Sequence, residues 1–289
     1  MTKTLERAAT EVVVRPNTYA TILVHAEPGK ASTHRVEVAA RLARNLDARL
    51  IGLGAETFDP SPYSGAFGGL GGAEWVGLVQ QEIAKNLAAA EAAFRRDAAG
   101  ADIEWRVTQD YPHRALVETA HAADLVVVGP KGGRGPLQSA DPADVVMSAG
   151  RPVLVTPDGR DHLVGESVVV AWKNTRECRR AVSDALPFLQ RADKVIVLAV
   201  THRDGADKAE QETADVVANL VRRGVDARPL VVTADHTAPE TEIERVAALN
   251  GADLIVSGAY GQSRLREWAF GGVTDSFLHK PAHFVLMSH

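Results

Sequence analysis

The sequence contains two copies of one pattern, and this repeat constrains the fold more than any other feature. The motif Ala-Asp-Leu-[Val/Ile]-Val occurs at residues 123–127 and again at residues 252–256. Each copy begins with a short β-branched run that is typical of a buried strand, at Thr21–Ala26 and Ser167–Trp172. A chain of 289 residues has room for two domains of ordinary size. The repeat therefore predicts two similar domains.

Each copy alternates strand-like runs with segments of helical period. Apolar residues in the segment Val36–Leu46 recur every three or four positions, and longer helical segments follow at Glu74–Ala99 and Asp207–Arg223. Strands that are apolar throughout and alternate with helices indicate a parallel sheet covered on both faces. The sequence thus predicts an α/β fold with two tandem, doubly wound, parallel five-stranded sheets of Rossmann-like type.

The repeat also sets the predicted domain boundaries. Residues 1–17 form an N-terminal extension, residues 18–157 a first domain and residues 163–289 a second domain. A short polar linker joins the two domains.

Composition excludes several classes of protein. The net charge of −5 and the pI near 6.1 argue against a general nucleic-acid binder, which needs a basic face. The single cysteine, Cys178, excludes an intramolecular disulfide; it is either a reactive thiol beside Arg179 or, as we favour, a small residue on a helix. No secretory pattern and no apolar run of about 20 residues is present. We expect a cytoplasmic protein that does not bind membranes.

Glycines follow the last strand-like run of the second copy. Gly258 and Gly261 come directly after this strand, and Gly271 and Gly272 open the next helix. Glycine lets backbone N–H groups approach a ligand closely, and a helix N-terminus attracts phosphate. Ligands of doubly wound sheets bind at the carboxyl ends of the strands. The pattern therefore predicts a phosphate-binding edge in the second domain.

These glycines carry a resemblance to a known family. Gly258, Gly261 and Gly271 fit the spacing Gly-x2-Gly-x9-Gly-[Ser/Thr], although Gly272 stands where a hydroxyl residue is expected and Thr274 lies just beyond it. The chain resembles the universal stress protein family in its tandem, two-domain form, and the ending Val-Leu-Met-Ser-His is also characteristic. The resemblance implies a fold similar to the adenine nucleotide alpha hydrolases and a site for ATP, ADP or AMP, with Mg²⁺ as a companion of the nucleotide.

The resemblance implies particular site residues in the second domain. Val200 corresponds to the family position whose backbone meets adenine, and Trp172, at the end of a strand, is placed to contact the base. Arg264 either clamps phosphates or is a surface residue, exposed or paired with Glu267. Lys173 occupies the place of an acidic residue, and a lysine cannot accept hydrogen bonds from ribose or base. The implied nucleotide-binding set is Trp172, Lys173, Asn174, Val200, Gly258, Gly261, Ser263, Arg264, Gly271, Gly272, Val273 and Thr274.

The first domain resembles the same site in a degenerate form. Glu27 closes its first strand, and Gly129 and Gly132 match the first two glycines. Pro142 lacks an N–H donor, and Asp141 stands at the Gly-[Ser/Thr] place, where its charge repels phosphate. We predict that this site does not bind nucleotides.

Other segments suggest weaker sites. The glycine-rich segment Ser64–Gly77 does not follow a strand, so it is predicted to be a lid or surface loop and not a phosphate loop. Gly261-Gln-Ser263 begins like a nucleophile elbow but lacks its second glycine. Three C-terminal histidines have no acidic or cysteine residue to complete a metal site, so no metal site is predicted.

Three functions stay open on the sequence. The leading one is a stress-response protein that binds an adenine nucleotide in the second domain and acts through conformational signalling without fast catalysis. It would form a homodimer or an intrachain pseudodimer and contact a protein partner. The second is a nucleotide-free dimerising scaffold whose final strands, Pro152–Thr156 and Phe284–Ser288, pair edge to edge within or between chains. The third is an enzyme of slow ATP hydrolysis or adenylate chemistry.

Overall fold

A computed structural model describes residues 18–58, 72–132, 134–261 and 272–289. The N-terminal extension and part of the glycine-rich segment lie outside these ranges.

The first half of the described chain alternates strands and helices as predicted. Its strands are β1 (Thr21–His25), β2 (Arg49–Ala55), β3 (Asp102–Thr108), β4 (Leu125–Val128) and β5 (Val153–Val155). Its helices are α1 (Lys30–Leu46), α2 (Gly72–Asp97), α3 (Pro112–Thr119) and α4 (Pro142–Ser148).

The second half repeats this order. Its strands are β6 (Ser167–Ala171), β7 (Lys194–Thr201), β8 (Ala227–Thr233), β9 (Leu254–Gly258) and β10 (Phe284–Ser288). Its helices are α5 (Arg176–Asp184), α6 (Leu186–Leu189), α7 (Ala206–Val221), α8 (Pro239–Leu249) and α9 (Gly272–His279).

The strands of both halves join in one sheet. In the described residues its order is β3-β2-β1-β4-β5-β10-β9-β6-β7-β8. Neighbours within each half are parallel, whereas β5 and β10 pair antiparallel, with Leu154 opposite Leu286. The α/β, doubly wound prediction is confirmed. The two predicted five-stranded sheets are the halves of one ten-stranded sheet in the described residues, because the final strands of the two halves pair edge to edge within the chain.

Apolar side chains on both faces of this sheet form the core. Ile22 and Val24 of β1 pack on one face and Leu23 on the other, and all three are fully buried. On β2, a Cβ atom at Gly52 would lie 2.6 Å from the Phe94 ring, so this glycine admits the aromatic side chain of α2 to the sheet. The period-two alternation explains why the strands read as unbroken apolar runs.

One sequence prediction needs correction. The glycine-rich segment Ser64–Gly77 was predicted to be a loop, but its last residues belong to α2, which begins at Gly72. Residues 64–71 lie outside the described ranges. Good helix formers such as Glu74, Leu78 and Gln80 alternate with the glycines here, and they outweigh the helix-breaking effect of Gly77. None of the described helices is both long and apolar enough to cross a membrane.

The β5–β10 pairing predicts energetic coupling between the halves. Leu154 and Leu286 face each other across it and are both fully buried. We expect Leu154→Ala and Leu286→Ala each to lower the free energy of unfolding by about 2–5 kcal/mol. In a double-mutant cycle by urea denaturation they should deviate from additivity by about 0.5–3 kcal/mol. Leu286→Ala and Leu50→Ala, four strands apart in the sheet, are the control and should add within about 0.5 kcal/mol. If the effects of Leu154→Ala and Leu286→Ala on the free energy of unfolding are strictly additive, the β5–β10 pairing does not couple the two halves.

Candidate functional site

The antiparallel pairing of β5 with β10, called the seam from here on, determines where the two clefts lie. Strands within each half are parallel, so their carboxyl ends share one edge of the sheet, and the reversal at β5–β10 turns these edges in opposite directions. The clefts predicted for the two halves therefore open on opposite edges. In the second half, the edge is formed by the ends of β6, β7 and β9 and by the first turns of α5 and α9.

Gly258 allows α5 to approach the end of β9. A Cβ atom at this position would lie 2.5 Å from the backbone nitrogen of Cys178 and 2.8 Å from the carbonyl carbon of Glu177. Thr175 caps the same helix, because its side chain accepts a hydrogen bond from the Cys178 N–H. Gly258 is thus required by the packing of a helix N-terminus against the strand.

The turn after Gly258 is held in an uncommon conformation. Tyr260 has a φ of 51°, a value that non-glycine residues seldom adopt. Its N–H donates to the buried hydroxyl of Thr274 in α9 at 3.5 Å. At Gly261 an added Cβ atom would meet nothing closer than 3.5 Å. A Cβ atom at Gly261 would therefore be in ordinary contact with Glu177 and Thr175, and the Thr274 hydroxyl contacts the turn from inside the protein.

The residues after β6 have different environments. The Trp172 indole Nε1 is buried without a partner among the described residues, and this side chain lines a groove of about 390 Å³ between α5 and α7. Lys173 is exposed. The Asn174 amide donates to Glu212 at 3.0 Å and accepts from Arg179 at 2.7 Å. The Asn174 side chain is therefore engaged within the protein.

Val200 presents its peptide groups beyond the end of β6. The Lys194 N–H donates to the Glu166 carbonyl, and the Leu198 carbonyl accepts from the Trp172 N–H, so these even-numbered residues of β7 face β6. Peptide groups alternate in direction along a strand. The N–H and C=O of Val200 consequently point to the side where β6 has already ended, as recognition of adenine by the backbone requires.

The start of α9 lies beside an acidic side chain. The carboxylate oxygens of Glu240 are 3.1 and 3.4 Å from the Cβ position of Gly272. Val273 packs against the core. A negative charge at a helix N-terminus is favourable, so Glu240 stabilises this helix where phosphate was predicted to bind. Ser263, Arg264 and Gly271 of the predicted site lie outside the described residues.

Glu177 is a residue at this edge that sequence reasoning missed. It is 3 % exposed, and its Oε1 pairs with the Arg176 guanidinium at 3.0 Å. Its Oε2 has no hydrogen-bond partner in the described ranges and lies 3.5 Å from the Cβ position of Gly261. Burial opposes ionisation, but contacts with its own backbone N–H, Thr175 and Arg176 outweigh it and lower the pKa of the carboxyl. Glu177 is therefore a buried carboxylate beside the glycine turn.

The cleft of the first half is filled by its own side chains. Glu27, at the end of β1, pairs with Arg35 at 3.2 Å and accepts a short hydrogen bond from the Ser139 hydroxyl. Gly129 accommodates the Arg35 side chain, since an added Cβ atom would lie 2.5 Å from its Nη1. Burial opposes ionisation of Glu27, but the charge of Arg35, together with His25 and Ser139, lowers the pKa of this carboxyl. Arg35 occupies the space that Gly129 leaves open.

The segment after β4 closes the same cleft. The Leu137 carbonyl accepts from the Thr57 N–H at 3.0 Å, and Gln138 donates to the buried Glu56 carboxylate at 2.7 Å. Gly132 has a φ of 151° and open space around its Cβ position. This segment extends across the ends of β1 and β2, where a nucleotide would have to lie.

Asp141 takes the position expected from the sequence. It is the N-cap of α4, and its side chain accepts from the Ala143 N–H at 2.9 Å and pairs with Lys131 at 3.2 Å. Its carboxylate therefore occupies the helix N-terminus that would otherwise bind an anion. Pro142 follows as the first helical residue, where its missing N–H costs nothing.

Cys178 is a buried thiol whose surroundings do not favour the thiolate. The side chain is buried, its Sγ donates weakly to the Ala171 carbonyl at 3.4 Å, and burial raises the pKa of the thiol. The small-residue interpretation of Cys178 is therefore the correct one. The described ranges contain no group of three or more metal-ligating side chains.

Comparison with known proteins identifies the family. The sequence model of the universal stress protein family matches residues 18–157 and residues 166–289. The chain belongs to the universal stress protein family. It is a tandem member, because each half matches the family once. No curated protein matches this universal stress protein in sequence.

Solved structures share the fold of this tandem universal stress protein. A universal stress protein from Archaeoglobus fulgidus DSM 4304 has a TM-score of 0.68 at 13 % identity, over 92 % of this chain and 94 % of that chain. A putative universal stress protein from Pseudomonas aeruginosa UCBPP-PA14 has a TM-score of 0.56 at 18 % identity, over 93 % of each chain. At these identities the likeness concerns the fold alone.

The two glycines of the turn should respond differently to substitution. Gly258→Ala forces a Cβ atom against backbone atoms of α5, which cannot move aside without displacing the helix. We expect a loss of roughly 1–3 kcal/mol in the free energy of unfolding. Gly261→Ala meets only ordinary contacts and should change it by about 0.5 kcal/mol or less. Chemical denaturation of both variants tests this, and equal effects would contradict the geometry.

His25 should make the first domain sensitive to acid. Burial lowers the pKa of His25 to about 4, and the Arg35 charge adds to this shift. In the unfolded chain His25 binds a proton near pH 6.5, whereas in the folded chain it stays neutral down to about pH 4. The free energy of unfolding therefore falls as the pH drops from about 6.5 to about 4. Between pH 7 and 4.5 we expect the wild type to lose about 2–3 kcal/mol more than His25→Asn. His121→Asn, at an exposed ring, is the control and should behave like the wild type.

Proposed function

We propose that this universal stress protein binds an adenine nucleotide in its second domain and acts by ligand-dependent binding of a partner. In this proposal the base lies at the end of β7 against the backbone of Val200, and the phosphates approach the turn from Gly258 to Gly261. Occupancy of the cleft then changes the surface offered to a partner. The inducing stress and the partner are outside this proposal.

One observation carries the proposal: the turn that ends at Gly261 holds a non-glycine residue at positive φ. Tyr260 has a positive φ, although Gly258 and Gly261, which would adopt such a φ without strain, lie in the same turn. Backbone strain of this kind persists where the surrounding structure imposes it, and it is concentrated at ligand sites. The buried Thr274 hydroxyl holds the turn from α9. A turn that α9 holds in place and that ends in a glycine lets a ligand approach its backbone closely.

Electrostatics at this edge favour a nucleotide accompanied by Mg²⁺. Glu240 lies beside Gly272 and Glu177 beside Gly261, so a bare triphosphate meets two carboxylates. Mg²⁺ prefers oxygen ligands and is commonly held by a carboxylate together with phosphate oxygens. The exposed Lys173 would add a positive charge for the phosphates. In this proposal Glu240 is the side chain that would contact the ion.

The first domain serves as scaffold in this proposal. Its carboxylate Glu27 is satisfied by Arg35 and Ser139, and the segment containing Gln138 covers the strand ends. A nucleotide would have to break these contacts before binding. One nucleotide per chain is therefore expected.

Fast catalysis is not part of the proposal. Phosphoryl transfer is catalysed by aligned positive charge and a positioned nucleophile or water. The described residues around Gly261 and Gly272 carry two carboxylates, and neither Walker lysine nor nucleophile elbow occurs in the sequence. We propose that ATP hydrolysis, if measured, is slow compared with nucleotide exchange.

A nucleotide-free scaffold is the second candidate, and the seam supports it. The pairing of β5 with β10 is complete without a ligand, and Glu240 already stabilises the N-terminus of α9. Because these strands pair within the chain, a homodimer would need another surface. The edge strands β3 and β8 are the remaining sheet edges in the described residues.

Nucleotide release separates these candidates. The purified protein is denatured, the supernatant is analysed for ATP, ADP and AMP, and the native protein is titrated with ATP and Mg²⁺ to millimolar concentration. We expect about one nucleotide per chain in the wild type, released or bound. Gly261→Val should abolish it, because the added isopropyl group stands beside Glu177 and Thr175 and keeps a ligand away from the backbone of the turn.

Gly77→Val is the matched control. Gly77 lies in α2 of the first half with open space around its Cβ position, so the same group is added far from the cleft. This variant should bind like the wild type. Absence of nucleotide from the wild type in both measurements would reject binding and favour the scaffold.

A further inference from the structure

Glu177 has an unused acceptor that faces the glycine turn. The residue is 3 % exposed, yet its Oε2 has no hydrogen-bond partner in the part of the chain that the structure describes. The same atom lies 3.5 Å from the Cβ position of Gly261. An unpaired, buried carboxylate oxygen is costly, because it has lost water without gaining a donor. Such an atom points to a ligand that supplies the donor.

The two halves place their acidic residue differently. Gly29 is the N-cap of α1 and Thr175 is the N-cap of α5, so these positions correspond. Counting from the caps, Lys173 stands where the first half has Glu27, two residues before the cap. Glu177 stands two residues after the cap, where the first half has Ala31. In the second half the acid has therefore moved from the strand end to the first turn of the helix.

The carboxylates of Glu27 and Glu177 also differ in the hydrogen-bond partners of their two oxygen atoms. Glu27 uses both oxygens inside the protein, one with Arg35 at 3.2 Å and the other with the Ser139 hydroxyl. In Glu177, Oε1 pairs with Arg176, and Oε2 has no hydrogen-bond partner among the described residues. The first half has thus supplied its acid with protein donors, whereas the second half leaves one oxygen for a ligand.

The position of Glu177 decides which part of a nucleotide it would meet. Val200 lies at the end of β7, and Gly261 follows β9. β6 lies between these strands in the sheet, and Glu177 is on the helix that follows β6. With the base at Val200 and the phosphates at the glycine turn, the ribose lies between them, and a carboxylate is a suitable acceptor for its hydroxyl groups.

We propose that Glu177 accepts a hydrogen bond from a ribose hydroxyl of the bound nucleotide and replaces the acceptor that Lys173 does not provide. This inference rests on the proposed nucleotide site. It assigns to that site a selectivity for ribonucleotides over deoxyribonucleotides, set by a residue on α5 instead of by the strand end.

Binding of three nucleotides tests the assignment. ATP, 2′-deoxyATP and 3′-deoxyATP are titrated by calorimetry, with Mg²⁺, into the wild type, Glu177→Gln and Glu177→Ala. The wild type should bind ATP at least about tenfold more tightly than one of the deoxynucleotides, as expected for a hydrogen bond to a charged acceptor. Glu177→Ala should reduce this ratio to about twofold or less, and the neutral Glu177→Gln to an intermediate value.

The melting temperature gives a second readout. ATP stabilises the folded protein by mass action, so the nearly isosteric Glu177→Gln, which binds ATP less tightly in this proposal, should lower the rise in melting temperature that ATP produces. Arg176→Gln removes only the exposed partner of Oε1 and is the control; it should keep the wild-type preference for ATP.

The outcomes separate the two levels of the proposal. If none of the three nucleotides binds the wild type, the proposed function fails and this inference fails with it. If ATP binds but the deoxynucleotides bind equally well, the site exists and the role of Glu177 is wrong. The same conclusion holds if Glu177→Ala keeps the wild-type ratio.

Discussion

The antiparallel pairing of β5 with β10 is the contact on which the rest of the structure depends. Each half alone would leave its last strand as an open, apolar sheet edge, which in water invites aggregation. Pairing these edges buries Val153, Leu154 and Val155 against Val285, Leu286 and Met287, all fully buried. It also fixes the relative direction of the halves. Because the strands reverse at the β5–β10 pairing, the two clefts open on opposite edges of the sheet.

The short helix α9 nevertheless touches both edges. It begins at Gly272 beside the glycine turn, and the carbonyl of Leu278 near its end accepts a hydrogen bond from the Lys131 N–H at 2.6 Å. Lys131 belongs to the segment that closes the cleft of the first half, and it pairs with the cap residue Asp141. Eight helical residues span only about 12 Å. The filled cleft of the first half therefore supports the C-terminal end of α9, and the N-terminal end of α9 borders the glycine turn of the second half.

Sequence reasoning predicted the framework because periodicity reports directly on burial. Apolar runs and the repeated Ala-Asp-Leu motif predicted the parallel strands, and Asp141, which the sequence matches to the Gly-[Ser/Thr] place, is the N-cap of α4. The missed residues carry no local pattern. Arg35 reaches Glu27 only after α1 folds back along β1, and Glu177 resembles an ordinary acidic residue in a first helical turn until its burial is known. A comparison of the two halves aligned on their helix caps could have found the displaced acid.

The two halves represent two solutions to the same electrostatic problem. A carboxylate near a strand end and a helix N-terminus is partly buried, and it needs donors to compensate for lost water. In the first half Arg35 and Ser139 supply them permanently, which stabilises the domain and removes the space for a ligand. In the second half Glu177 keeps one oxygen without a hydrogen-bond partner among the described residues. A ligand that donates to this oxygen would add a stabilisation that depends on the concentration of the ligand.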